Sequence, residues 1–293
     1  MTIQWYPGHI AKAERNLKEQ LKRVDVVLEV RDARIPLTTN HPQVSEWVGN
    51  KARVLVLNRM DMISSDVMKI WQEWFEAEGQ VPYFTNAKLG DGVKSVAKAA
   101  REAGRAVNQR RRGRGMLPRP VRAVVIGFPN VGKSALINRL LKRKVVESAR
   151  RAGVTKQLRW VRISDEIELL DAPGVIPSRI KNPEDAIKLA ICEDIGDAAY
   201  DNQRIVASLI DLLMSLEVDS NGFVSASCLE SRYELEASNY TGESYLHEVA
   251  NQLYQGDVER TARRILDDFR KGLLGQIPLE LPPSTSQKLK VKS

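Results

Sequence analysis

Residues 127–134 read Gly-Phe-Pro-Asn-Val-Gly-Lys-Ser, and this stretch decides the fold. It matches G-x-x-x-x-G-K-[ST] and lies between an apolar strand pattern, Val121–Ile126 (VRAVVI), and a helical pattern at about 133–142. A Gly-rich turn from strand to helix is the context this motif needs. Glycine lets backbone N–H groups turn inward around a phosphate, and the helix start adds its positive dipole end. Asn130, Val131, Gly132, Lys133, Ser134 and Ala135 are therefore candidate phosphate contacts. Lys133 should reach the β- and γ-phosphates of a nucleotide, and the Ser134 hydroxyl should ligate Mg²⁺.

Working downstream, Asp171-Ala-Pro-Gly174 follows a strand pattern at Ile167–Leu170, which pairs with Leu158–Ile163 as a predicted hairpin. This order fits the D-x-x-G element. Its Asp approaches Mg²⁺ through water, and its Gly N–H senses the γ-phosphate. Gly153-Val-Thr155 lies between the two motifs, and Thr155 is a candidate second Mg²⁺ ligand ordered by the γ-phosphate.

A base-reading element is expected next, but nothing after Gly174 fits. It occurs upstream instead. Asn58-Arg-Met-Asp61 ends the strand pattern Arg53–Leu57 and resembles the guanine-specificity motif N-K-x-D, with Arg in place of Lys. The Asp61 carboxylate can accept from the ring N–H and the exocyclic amine of guanine together, a donor pair that adenine lacks. Asn86-Ala-Lys88 follows the strand pattern Val81–Thr85 and resembles S-A-K, with the Ala87 N–H expected to meet the guanine carbonyl. NRMD alone is an ordinary polar strand-end turn; with NAK and the phosphate loop it reads as a guanine site binding GTP and GDP. The order of base motifs, phosphate loop, Thr switch and DAPG is that of a circular permutation.

The remaining patterns frame this site. Val24–Val30 (VDVVLEV) reads as a further buried strand, with helical stretches at about 10–22, 65–78 and 92–107. Alternation of strand and helix predicts an α/β domain, a mostly parallel sheet with helices on both faces, over 1–180. Gln109–Pro120 (QRRRGRGMLPRP) reads as a basic linker inside it. From 181 to 293 the patterns are helical, at about 183–198, 202–216, 244–254 and 257–272. A small all-α C-terminal domain with a polar tail from about 282 is expected.

Of 293 residues, 43% are hydrophobic and 28% charged, enough to bury a core. No apolar run is long enough for a membrane span, and the N-terminus lacks the apolar stretch of a signal peptide. A cytoplasmic monomer is the expectation. Cys192 and Cys228 and the scattered His9, His41 and His247 match no metal spacing. The net charge of +8 is uneven. Residues 1–180 hold 33 basic and 18 acidic residues, against 12 and 19 in residues 181–293. A basic half suits a polyanionic partner or simply a soluble surface.

The chain resembles the YlqF/RbgA family of circularly permuted GTPases, ribosome biogenesis GTPase A. The resemblance covers nearly the whole length: W-Y-P-G-H-I-A-K-A (5–13), D-A-R-I-P (32–36), N-R-M-D, G-F-P-N-V-G-K-S, G-V-T-K, L-D-A-P-G and R-I-L-D-D-F-R-K-G-L-L-G (264–275). It implies a GTPase that binds the precursor large ribosomal subunit and its rRNA. Arg59 stands where the family usually has Lys, and Ala152 where it has Pro. Val175 occupies the position where many P-loop GTPases carry a water-orienting Gln. The resemblance points to His9 as the group that takes over this task, alongside Lys133 and Gly174. Asn130 resembles the residue that ligates K⁺ in potassium-activated members of the wider class, or else serves to stabilise the loop. Two readings follow: a GTP-hydrolysing switch on the subunit, or an rRNA-binding scaffold using GTP as a structural ligand with little turnover. In the helix at 257–272, Arg260, Arg263, Arg264, Arg270 and Lys271 share one arc, expected to meet rRNA phosphates. The linker arginines add contacts or only solubility.

Overall fold

The computed structural model describes residues 15, 17–142, 159–162, 167–171, 180, 182–195, 200–215 and 227–283. They form two compact units. One holds the described residues up to 171 together with 278–283, and the other runs from 180 to 277.

The first unit is built on a six-stranded sheet. The strands are β1 (Val26–Asp32), β2 (Ala52–Asn58), β3 (Pro82–Thr85), β4 (Val121–Ile126), β5 (Arg159–Arg162) and β6 (Ile167–Asp171), in the order β3-β2-β1-β4-β6-β5. Five strands run parallel, and β5 is antiparallel to β6, as the predicted hairpin requires. β1 is buried along its full length because it lies inside the sheet with covered faces, and four of its seven residues are apolar. Its exceptions are charges that find partners. Arg31 Nε donates to Glu29 Oε1 at 2.6 Å, Arg31 Nη2 to Asn40 Oδ1 at 2.9 Å, and Arg53 also pairs with Glu29.

Helices α1 (Val44–Val48), α2 (Ser65–Ala77), α3 (Val93–Arg112) and α4 (Lys133–Leu140) lie in the same unit, with further helix at residues 17–21. Leu17, Leu21, Val44 and Trp47 pack with Val27, Val124, Ile126 and Leu170 in one core. The stripe Val93, Val96, Ala99, Ala100 and Gly104 is the buried side of α3. Gly104 has to be glycine: a Cβ there would lie 2.0 Å from Val121 Cγ2.

One boundary differs from the sequence reading. α3 continues through Arg112, so the first part of the expected linker 109–120 is helix. Arg110, Arg111 and Arg112 form its last turn, where cations face the negative end of the helix dipole. Beyond it, Arg111 Nε and Nη2 both donate to Leu117 O at 3.1 Å and close the turn.

After the second unit the chain adds residues 278–283 to the first. Leu279 N donates to Arg34 O at 3.0 Å, and the Glu280 carboxylate accepts from Leu37 N at 2.8 Å and Thr38 N at 3.2 Å.

The second unit contains α5 (Pro183–Ile191), α6 (Asn202–Ser215), α7 (Ser227–Tyr233), α8 (Gly242–Tyr254) and α9 (Val258–Arg270). Each of α6, α8 and α9 packs on the other two. Asp268 is buried among them and accepts from Arg232 Nε at 2.7 Å, Tyr233 OH at 3.3 Å and Arg264 Nε at 3.0 Å. Burial pushes the Cys228 thiol up to about 11, so it is protonated at neutral pH. No described helix is long and apolar enough to cross a membrane.

Candidate functional site

The parallel strands all end at one edge of the sheet. β1 and β4 are neighbours there, and their onward connections diverge: β1 leads to β2 on one side, and β4 to β6 on the other. Such a point leaves a crevice outside the strand ends where α/β proteins bind ligands. The sequence places its motifs around it.

The loop after β4 is held in a shape only certain residues allow. Gly127 has φ +150°, and a Cβ there would lie 2.2 Å from Val30 O. Gly132 has φ +98°, and its Cβ would lie 2.0 Å from Asn58 Nδ2. Lys133 is buried and its Nζ donates to Phe128 O at 2.5 Å, so the ammonium arches over the loop. Gly132 caps α4 without a side chain. The first-turn N–H groups, with Ser134 and Ala135 half-buried among them, have no partner within the helix.

Asn58 joins the loop to both base motifs. Its Nδ2 donates to Val131 O at 2.8 Å, and its Oδ1 accepts from Thr85 Oγ1 at 3.0 Å and Ala87 N at 2.9 Å. Residues from β2, β3 and the β4 loop thus meet at one amide, which is only 4% exposed. The expected use of the Ala87 N–H needs adjusting, because Asn58 already takes it and a guanine carbonyl would have to share it. Asn86 shapes the turn from within, its Oδ1 accepting from Lys88 N and Leu89 N, each at 3.1 Å. Asp61 is exposed in a 3-10 turn, Met60–Met62, and Lys88 is exposed nearby in sequence to Ala87.

Arg59 uses its fork. Nη2 donates to Asn130 O at 2.8 Å, and Nε lies 3.5 Å from Asp32 Oδ2. A lysine has one nitrogen and cannot bridge both groups this way. Asp32 is fully buried with Arg34: its Oδ1 accepts from Arg34 N at 2.9 Å and Nε at 3.0 Å, and its Oδ2 from Nη2 at 2.7 Å. Burial alone would raise the Asp32 carboxyl, but the Arg34 and Arg59 guanidiniums outweigh it and hold the group below its ordinary value. This D-A-R motif carried no role in the sequence reading, yet it anchors the side chain that grips the phosphate loop. Arg139 was also missed. From α4 its Nε donates to Ala87 O at 3.3 Å, and Nη2 reaches Lys88 O. No local pattern marks a side chain that caps a loop 51 residues away.

Asp171 ends β6, and its backbone pairs with Val125 in β4, one residue before the strand gives way to the loop. His9, Thr155, Gly174 and Val175 lie outside the described residues.

The α9 stripe is largely spent internally. Arg263 pairs with Glu259 at 2.9 Å, Arg264 with Asp268 at 3.0 Å and Lys271 with Asp267 at 2.7 Å. Arg270 donates to Ile191 O at 3.0 Å and Ala190 O at 2.8 Å, capping α5, and Arg260 lies 5.8 Å from the Tyr254 ring centroid. The basic arc is real, but carboxylates on the same helix offset most of it.

A family profile described as 50S ribosome-binding GTPase matches residues 122–225. Ribosome biogenesis GTPase A of Bacillus pumilus (strain SAFR-032) is 38% identical over 290 residues, 97% of this chain and 100% of that protein. Mitochondrial ribosome-associated GTPase 1 of Mus musculus is 30% identical over 94% of this chain and 90% of its own length. The crystal structure of GNP-bound YlqF from T. maritima matches with a TM-score of 0.63 at 24% identity, covering 93% of this chain and 99% of that one. This chain's fold, with the phosphate loop downstream of the base motifs, and relatives matched end to end agree: the chain belongs to the ribosome biogenesis GTPase A family of circularly permuted GTPases.

Proposed function

We propose that this chain binds GTP and GDP at the β1–β4 crevice, hydrolyses GTP, and couples the nucleotide state to binding of the precursor large ribosomal subunit and its rRNA. The single observation that carries the nucleotide site is Asn58, whose amide ties the NRMD strand, the NAK turn and the phosphate loop into one wall. Asp61 reads the guanine donor pair beside it, with Arg59, Asn86, Ala87 and Lys88 framing the base. Asn130 to Ala135 hold the phosphates through backbone N–H groups, and Lys133 swings from Phe128 O to the β- and γ-phosphates.

Ser134, Thr155 and Asp171 would hold Mg²⁺, which neutralises charge on the phosphates. The donor set is oxygen only, as that ion requires. Asn130 would ligate K⁺. Gly174 senses the γ-phosphate and precedes the helical unit in the chain, so loss of that phosphate acts on a short connecting segment. With Val175 unable to hold a water, His9 accepts its proton and turnover depends on the ribosome to position it. A cytoplasmic monomer fits these roles.

Single-turnover GTP hydrolysis with and without large subunits, in KCl and in NaCl, tests the reading, together with co-sedimentation in GTP, GDP and a non-hydrolysable analogue. Hydrolysis should rise on subunits, be faster in KCl, and be lost in His9→Ala with GTP binding intact. Nucleotide-independent binding with negligible turnover on subunits would leave a scaffold that uses GTP structurally.

A further inference from the structure

A basic cleft stands at the opposite end of β4 from the phosphate loop. Residues 101–122 contain eight arginines and one acid, Glu102, in a chain whose net charge is +8. Four polar side chains, Arg101, Arg105, Asn108 and Arg112, recur at i, i+4, i+7 and i+11 on α3, which places them on one face. They line a cleft of about 540 Å³ whose other wall is Pro118, Arg119, Pro120 and Val121.

The walls are fixed to each other. Asn108 Nδ2 donates to Arg119 O at 2.9 Å, and Arg119 N donates to Asn108 Oδ1 at 3.2 Å. Arg119 Nη1 and Nη2 grip Asp25 at 2.7 and 2.9 Å, which neutralises that guanidinium and makes it a strut. Gly104 allows α3 to lie against Val121 and sets the cleft's depth. By contrast, Arg105, Arg110, Arg112 and Arg114 are exposed, and their side chains have no hydrogen-bond or ion-pair partner among the described residues. Here the contrast with α9 decides: there each arginine has a carboxylate, carbonyl or ring partner, while the side chains of these four have none among the described residues, and hydrogen bonds join the walls beneath them.

The geometry points to this cleft as a binding site for the phosphate backbone of RNA, with Arg105 and Arg112 as the principal contacts and Arg110 and Arg114 extending the track. Guanidinium forks match phosphate oxygens two at a time. The face from Arg101 to Arg112 is about 16 Å long at ~1.5 Å per residue, enough to meet several successive phosphates. The inference rests on the ribosome-binding reading for the RNA being ribosomal. It places that contact on the GTPase unit, about 17 Å of strand away from the nucleotide loop.

The test uses the full chain with Arg105→Glu/Arg112→Glu, and a second variant, Arg105→Lys/Arg112→Lys, that keeps the charge. Probes are a short labelled RNA hairpin, purified large-subunit rRNA and whole large subunits. Charge reversal should weaken RNA binding roughly tenfold or more and flatten the slope of log affinity against log salt by about 1.4–1.8, at ~0.7–0.9 per phosphate contact. The lysine variant should lose less, and GTP affinity should not change. RNA affinity and salt slope equal to the wild type would overturn the proposal. So would a loss of subunit binding with naked-RNA binding intact, which would assign the face to an acidic protein. Binding to RNA but not to subunits would remove the ribosomal reading and leave this site standing.

Discussion

Asn58 Nδ2 donates to the carbonyl oxygen of Val131, 73 residues later, at 2.8 Å, while Asn58 Oδ1 accepts from Ala87 N. One side chain therefore sets the distance between the base turn and the phosphate loop, the two ends of a nucleotide. It also explains why position 132 is glycine, since any Cβ would strike the Asn58 amide. Asn58→Asp replaces the donor with a second acceptor facing Val131 O. We expect GDP affinity, followed with a fluorescent analogue, to fall at least tenfold, with about 1–3 kcal/mol lost from stability in urea. An unchanged affinity would mean that the two loops are held apart by something else.

Asp61 is an exposed residue of the turn that follows β2. Asparagine at this position presents one donor and one acceptor where the carboxylate presents two acceptors. Xanthine carries a carbonyl where guanine carries its exocyclic amine, so Asp61→Asn should shift preference from GTP toward XTP. A bidentate pair of this kind discriminates by about 1–3 kcal/mol, or roughly 5- to 150-fold. Competition of the two nucleotides for the variant measures it directly. Equal weakening for both would show that Asp61 supports the turn and does not read the base.

The strands, a mostly parallel sheet and three motifs at strand ends were legible because each rests on local pattern: short apolar runs, a Gly-rich turn, a polar strand end. α1 and α7, of five and seven residues, were not read, being too short to show a helical period. Arg112 reads as linker in the sequence because arginine runs look like linkers, although a helix end welcomes them. The α9 arc shows a different limit. Angular spacing finds the arginines, and the i, i+4 acids Glu259–Arg263, Arg264–Asp268 and Asp267–Lys271 stand in the same sequence. Arg270 as a cap on α5, Arg139 as a cap on the NAK turn and Glu280 on the loop after β1 are long-range pairings, and no periodicity encodes them.

Glu280 closes the first unit by capping Leu37 N and Thr38 N and pairing with the Thr38 hydroxyl. The loop it holds follows Arg34, whose carbonyl accepts from Leu279 N. Glu280→Ala leaves these part-buried donors unsatisfied and should cost about 1–3 kcal/mol, read as a lower thermal midpoint. Glu280→Gln keeps one acceptor oxygen and should lose less. If alanine leaves the midpoint unmoved, the Glu280 cap contributes no stability.

Asp32 gives a pH signature. Its carboxyl is held below the ordinary value of ~3.9 by Arg34 and Arg59, so the unfolded chain binds its proton more readily than the folded one. The stabilisation is fully present above pH ~4 and is lost as pH falls through the lower folded value. Asp32→Asn keeps the shape but leaves Arg34 buried without a counter-charge, and should cost about 3–5 kcal/mol at neutral pH. The gap between wild type and variant, measured by urea unfolding at a series of pH values, should narrow once pH drops below about 4, because acid removes from the wild type what the mutation has already removed. A gap that stays constant down to the acid limit would show that the Asp32 charge does not stabilise the phosphate-loop anchor.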